Sequence, residues 1–257
     1  MSNIHSTAIV SSKAELDTDV TVGPHTVIEN DVTIGKGTNI ASSVLIGSGA
    51  RIGENVRIFH SAVISTIPQD LKFGGEKTKA VIGNNTTIRE FVTINRGTSA
   101  HGESSIGKNC LLMAYSHVAH DCIIGDNVIL ANSVNLGGHI EIGDYAILGG
   151  ILPVHQFVKI GAHAMIGGGF RVQQDICPYA LIAGYPLKVI GINSIGLKRR
   201  GFKSEVVRIL GKTFKILFFS KLNTSQAVAR IKEDIEIIAE VQEILDFIDS
   251  SSRGFVK

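Results

Sequence analysis

The chain has 257 residues, 44% hydrophobic and 19% charged, with 25 Lys plus Arg against 23 Asp plus Glu. That apolar content excludes disorder as the main state, and a net charge of +2 is too balanced for a general nucleic-acid binder. No apolar run approaches the roughly 18 residues that span a bilayer. The opening MSNIHSTAIV lacks the basic-then-apolar order of a secretory signal, and three cysteines make no disulfide framework. The expected compartment is cytoplasmic.

Twenty-eight glycines accompany many Ile and Val and few aromatics, which suggests a turn-rich β structure and a repeat. From Ile4, every sixth residue is Ile, Leu or Val as far as Val172, apart from Asp70, Glu76 and Ala100. A second series lies two residues earlier in each hexad and holds smaller residues, among them Ala8, Val20, Val44, Cys110, Cys122 and Val134. Spacing of two puts both series on one face of a strand. Triplets such as Gly35-Lys36-Gly37, Gly53-Glu54-Asn55 and Gly83-Asn84-Asn85 fall between the strands, where Gly and Asn tolerate the positive φ of tight corners. Each hexad is then one short strand and a corner. Three close a triangular coil of 18 residues, and successive coils stack about 4.8 Å apart as parallel strands.

Two polar segments break the frame, 65–79 and 99–105, and read as loops protruding from the prism. After Val172 the repeat fades, and from about residue 196 the period becomes helical. Ser204 is placed to cap a helix through Phe218, and Thr224 a second. A third is expected from Ile235 to Phe247.

Stacking by 18 puts Val118, Leu136 and Val154 on one wall. Two residues past each come His120, Gly138 and Gln156, an outward column flanked by His139 and His155. Such a column offers a base, a backbone N–H donor and a polar orienter. Solvent-facing histidines equally need no explanation. Zinc held by His117, His120 and His139 is a third reading, because trimeric carbonic anhydrases on a hexad fold hold zinc with three His from two subunits. Cys110 and Cys122 fall on the inward series and read as core.

The hexad pattern resembles the left-handed parallel β-helix of the hexapeptide-repeat acyltransferases. More specifically, Ser116-His117-Val118-Ala119-His120-Asp121-Cys122, Gly138-His139, Val154-His155-Gln156-Phe157, Pro68-Gln69-Asp70-Leu71-Lys72, Gly196-Leu197-Lys198-Arg199-Arg200-Gly201-Phe202 and Ser252-Arg253-Gly254 are similar, in order, to the motifs of the UDP-N-acetylglucosamine O-acyltransferases that draw on acyl carrier protein. The resemblance implies a mainly β chain: a left-handed parallel β-helix of hexapeptide repeats over 1–190 and a C-terminal α-helical domain over 191–257. It implies a homotrimer with sites between subunits, and no metal or cofactor. It implies transfer of an (R)-3-hydroxyacyl chain from acyl carrier protein to the 3-hydroxyl of UDP-N-acetylglucosamine, the first step of lipid A biosynthesis. His120 is then the general base, Asp121 its orienter and the Gly138 N–H the oxyanion donor. Asp70, Lys72, His117, His139, Gln156, Asn193, Arg199 and Arg200 match substrate-contacting positions, and Gly168 matches the position that sets acyl-chain length.

The chain departs from the family at Asn95, where a histidine is frequent, and at Phe170-Arg171, where small residues are usual. The relative that acylates the 2-amine carries an extra N-terminal uridine-binding domain, and entry into the repeat by Ile4 argues against it. A structural or ice-binding β-helix would need flat Thr-rich faces.

Overall fold

The computed structural model describes residues 2–257. Three parallel walls form a triangular prism. The first has eleven strands, from Asn3–Ile4 through Met165–Ile166 and on into a terminal hairpin; the second and third have eight each. Pairing follows the 18-residue step, with Val118 beside Leu136 and Leu136 beside Val154. Every sixth residue points inward, so Ile28, Ile46, Ile64, Ile94, Val118 and Leu136 stack in a nearly dry core along the second wall. Each such side chain contributes about 1.5–3 kcal/mol relative to exposure.

At the corners the third residue of each triplet takes the left-handed conformation, at φ 54–65°: Asn55, Asn85, Asn109 and Asn127, but also Asp121, His139, Phe157 and Ile151. The coil is left-handed, against the usual hand of parallel crossovers. The leading glycine of the triplet has a different purpose. A Cβ on Gly35 would lie 2.7 Å from the carbonyl carbon of Gly53, and one on Gly83 would lie 2.6 Å from that of Gly107. These glycines let successive coils stack without a gap.

The two frame breaks are insertions at corners. Ala50 pairs with Ala80, 30 residues on instead of 18, and Ala80 pairs with Ser104, 24 on. The first insertion is shorter than expected from composition, since Ser65 and Thr66 extend the strand Val63–Thr66 and Lys79 begins Lys79–Ile82. The second ends earlier as well, because 103–105 belong to Glu103–Ile106.

Where the repeat fades, an antiparallel hairpin of Ala180–Ala183 and Lys188–Ile192 continues the first wall. Four helices follow: α1 (Ser194–Arg199), α2 (Ser204–Phe219), α3 (Thr224–Asp234) and α4 (Ala239–Ser250). Their caps differ from the expected ones. Ser204 is the first helical residue of α2, after Lys203. Thr224 follows Asn223, whose side chain accepts from Gln226 N while Gln226 reaches back, a capping box. The third expected helix starts four residues late, after an extended stretch at 235–238. The hydroxyl of Tyr179 donates to Glu243 of α4 and ties the helices to the prism. Among the described residues, no helix is long and apolar enough to cross a membrane.

Candidate active site

The corner between the second and third walls carries the His120 column. His120 and Asp121 occupy the turn between strands His117–Val118 and Ile123–Ile124. A lone corner would leave both in water. Instead His120 is 6% exposed and Asp121 1%. The second insertion folds back over them. Thr98 donates to Asp121 twice, from its N–H to Oδ1 at 2.9 Å and from its hydroxyl to Oδ2 at 2.7 Å. The Asp121 N–H donates to Ser104 Oγ at 2.8 Å.

His120 Nδ1 lies 2.8 Å from Asp121 Oδ2. A carboxylate only accepts, so Nδ1 carries the proton and Nε2 presents its lone pair. Burial pushes the Asp121 carboxyl up, but the hydrogen bonds from His120 and Thr98 outweigh it and hold the group below the usual carboxylate range.

One coil on, Gly138 lies directly under the imidazole, where a Cβ would fall 2.7 Å from Nε2. The flanking N–H groups are used, Gly137 to Val154 O and His139 to His120 O. The Gly138 N–H between them has no acceptor among the described residues. At three other corners the equivalent N–H holds an oxygen from the next coil: Glu54 on Asn84 Oδ1 at 2.9 Å, Lys108 on Asp126 Oδ1 at 2.9 Å and Asp126 on Asp144 Oδ1 at 2.8 Å. The direction is one that takes up an anionic or amide oxygen.

His139 stacks on Phe157 at 4.6 Å and meets His120 edge-on at 5.0 Å. Burial pushes its pKa down and His120 and His101 add to this, against Asp121 and Asp70. Burial likewise lowers His117, whose Nδ1 lies 2.7 Å from Thr93 Oγ1. Gln156 and His155 are exposed beside them, and the Gln156 carbonyl accepts from Arg253. Asp70 accepts from Lys72 N at 3.0 Å in the first insertion, where the Lys72 side chain is exposed.

His120, Asp121 and His139 each offer a metal-ligand atom within 4.8 Å of the others. His117 is not part of this group, and its Nδ1 engages Thr93. Cys110 and Cys122 are buried, with thiols pushed up to about 11 and about 12 by burial.

The remaining candidates stand elsewhere. Arg200 donates to Tyr145 O at 2.8 Å and lies 3.3 Å from His163 Nδ1, at the corner between the third and first walls. Arg199 beside it is exposed. Asn193 is buried and held at both ends: Oδ1 accepts from Gly196 N at 3.1 Å, capping α1, and Nδ2 donates to His163 O at 2.9 Å. Gly168 lies at the corner between the first and second walls, against Gly150. Phe170 and Arg171 line a cavity of about 510 Å³ with Tyr185, Pro186 and Leu187. Asn95 is buried, its Nδ2 on Thr66 Oγ1 and Ile67 O, both at 3.1 Å. Its amide nitrogen thus anchors the start of the first insertion, while its Oδ1 is buried without a partner among the described residues. Thr98 was not legible in the sequence, because only the folding-back of the insertion brings it to Asp121, whereas Ser104 comes from the strand Glu103–Ile106, stacked one coil below Cys122.

Residues 175–256 match the family model described as UDP N-acetylglucosamine O-acyltransferase, domain 2, and residues 25–60 and 103–138 match the bacterial transferase hexapeptide model. The chain is 55% identical over 259 residues to the acyl-[acyl-carrier-protein]–UDP-N-acetylglucosamine O-acyltransferase of Trichlorobacter lovleyi, covering 99% of each. It is 46% identical over 258 residues to that of Neisseria gonorrhoeae, covering 100% of each. The UDP-N-acetylglucosamine acyltransferase structure of Bacteroides fragilis superposes with a TM-score of 0.97 at 42% identity, over 98% of this chain and 99% of that one. With similarity of this extent over its whole length, the chain belongs to the acyl-[acyl-carrier-protein]–UDP-N-acetylglucosamine O-acyltransferase family.

Proposed function

We propose that this chain transfers an (R)-3-hydroxyacyl group from acyl carrier protein to the 3-hydroxyl of UDP-N-acetylglucosamine, as the first step of lipid A biosynthesis in the cytoplasm. One observation carries the reading. His120 has its Nδ1 committed to Asp121, and its Nε2 lies 2.7 Å from where a Cβ of Gly138 would stand, on the residue whose N–H is unpaired among the described residues. A base and an oxyanion donor thus converge on one point.

A thioester is already activated, so proton transfer and charge stabilisation suffice. Nε2 takes the proton of the sugar 3-hydroxyl as its oxygen adds to the thioester carbonyl. The tetrahedral oxyanion accepts from the Gly138 N–H, held rigidly by the coils on either side. Collapse breaks the C–S bond, and the departing thiolate takes the proton from His120. The buried Asp121 carboxylate keeps the tautomer and stabilises the imidazolium between these steps.

His117, His139, Gln156, Asp70 and Lys72 surround this corner and serve the sugar and its donor. Arg199 and Arg200 serve the nucleotide end. Asn193 holds α1 against His163 and so sets where those arginines stand. Gly168, Arg200 and His120 lie at three different corners of one prism, which supports a site completed by neighbouring copies in a homotrimer. The division into a β-helix over 1–190 and a helical domain over 191–257 belongs to the same reading.

The test is His120→Ala, assayed for transfer from hydroxyacyl-carrier protein. Loss of roughly 10²–10⁴-fold with the assembly intact is expected, and near-wild-type turnover would sink the mechanism. Mass spectrometry of the product from mixed donors gives the chain length and distinguishes an ester from the amide of a 3-amino acceptor.

A further inference from the structure

We infer that Thr98 is a positioning residue for His120, and that the second insertion is a clamp which holds the Asp121 carboxylate. The inference rests on the acyl-transfer reading and adds a residue to it.

The insertion grips Asp121 at both ends. Thr98, where it leaves the prism, supplies two donors to the carboxylate, one to each oxygen. Ser104, where it returns, accepts the Asp121 N–H. All three residues are buried. The Thr98 hydroxyl also accepts from Ala100 N at 3.2 Å. An oxygen that accepts there has its single proton free for Asp121.

The two Asp121 oxygens are not equivalent. Oδ1 takes the Thr98 N–H, while Oδ2 takes both the Thr98 hydroxyl and His120 Nδ1. The hydroxyl therefore sits on the very oxygen that orients the base. Without it, Oδ2 is left to His120 and to His139, whose Nε2 lies 3.8 Å away. The carboxylate then has a reason to turn toward His139 and to release the His120 ring. His101 in the insertion and Asp70 in the other loop also bear on His139, and neither replaces the lost donor.

Thr98→Val keeps the shape and the backbone N–H but removes the hydroxyl. Turnover should fall roughly 10- to 100-fold, the usual effect of removing a hydrogen bond that orients a catalytic group. KM for both substrates should stay within about twofold, since Thr98 acts through Asp121 and touches no substrate. Thr98→Ser restores the donor and should restore kcat. In a His120→Ala background, Thr98→Val should cost nothing further, because the base it positions is gone.

Wild-type kcat in Thr98→Val overturns the inference, as does failure of Thr98→Ser to rescue. A full additional loss in the His120→Ala background also overturns it, since it marks a structural role. If Thr98→Val does not fold, Thr98→Ala removes the same hydroxyl, and wild-type kcat in a folded Thr98→Ala overturns the inference. Should His120→Ala itself turn over normally, it is the acyl-transfer reading that fails.

Discussion

A Cβ on Gly138 would lie 2.7 Å from Nε2 of His120. The space above this glycine is already filled by the ring that the chemistry needs. Gly138 is not at positive φ, so the backbone accepts alanine and the side chain above must give way. Gly138→Ala should fold with a near-wild-type melting temperature and lose about 10²-fold or more in turnover, through a displaced base and a disturbed oxyanion donor. A steady-state assay beside a melting curve checks both halves.

His163 stacks between Tyr145 and Tyr179, with Arg200 alongside. Burial, reinforced by Arg200, lowers its pKa from 6.5 to about 4. The neutral form is favoured in the fold, so this contribution to stability is complete above about pH 6.5 and is lost as pH falls toward 4. His117 and His139 are shifted in the same direction. The melting temperature should drop through this window. His163→Phe, which keeps the stack and cannot charge, should flatten the drop. An unchanged slope in calorimetry would show that His163 does not couple to acid unfolding.

Helix α2 buries Val207, Leu210, Phe214 and Leu217 against its neighbours and leaves Arg208, Lys212 and Lys215 outward, with Lys203 and Lys221 at its ends. Glu205 is paired with Arg208. Acyl carrier proteins are acidic, and exposed charges of this kind act mainly on encounter. KM for the carrier-protein donor should rise steeply with salt, while KM for the sugar nucleotide changes little. Equal salt dependence for both substrates would count against steering by this helix.

Gly168 presents two effects that a single variant would confuse. A Cβ there meets Gly150 O at 2.6 Å, so any side chain strains the coil, at a cost of roughly 1–3 kcal/mol. A long one also reaches along the wall. Gly168→Ala should lower the melting temperature and leave the donor preference alone. Gly168→Met should do both, moving the preference to shorter chains at about 0.8 kcal/mol, or fourfold, per excluded methylene. Donors of graded length on the two variants separate strain from reach, and matching length profiles would place the length limit elsewhere.

The prism was legible because hydrophobic spacing and coil geometry share one number. Val118, Leu136 and Val154 could be placed in register by counting, and with them His120, Gly138 and Gln156. What a count cannot show is how an insertion packs, so the burial of His120 and the contacts of Thr98 are beyond it. Glycine was ambiguous for a related reason. Composition suggests conformational freedom at Gly35 and Gly83, whereas these residues answer to the backbone of the next coil. Where two polar residues adjoin, as at Asn223 and Thr224, either suits a cap by composition and only the backbone decides for Asn223, and the hairpin at 180–192 carries no periodic signal once the hexad fades.

Coils stacked against one another through glycine leave no slack between floors. Along the axis the prism is a graduated rod, marked every ~4.8 Å, and a contact can move up or down it only by whole divisions. One division is about four methylenes of an extended hydrocarbon chain. If an acyl tail lies along such a wall, selectivity altered by substitutions on successive coils should change in jumps of that size, with the lengths between them reached only by adjusting the reach of a single side chain.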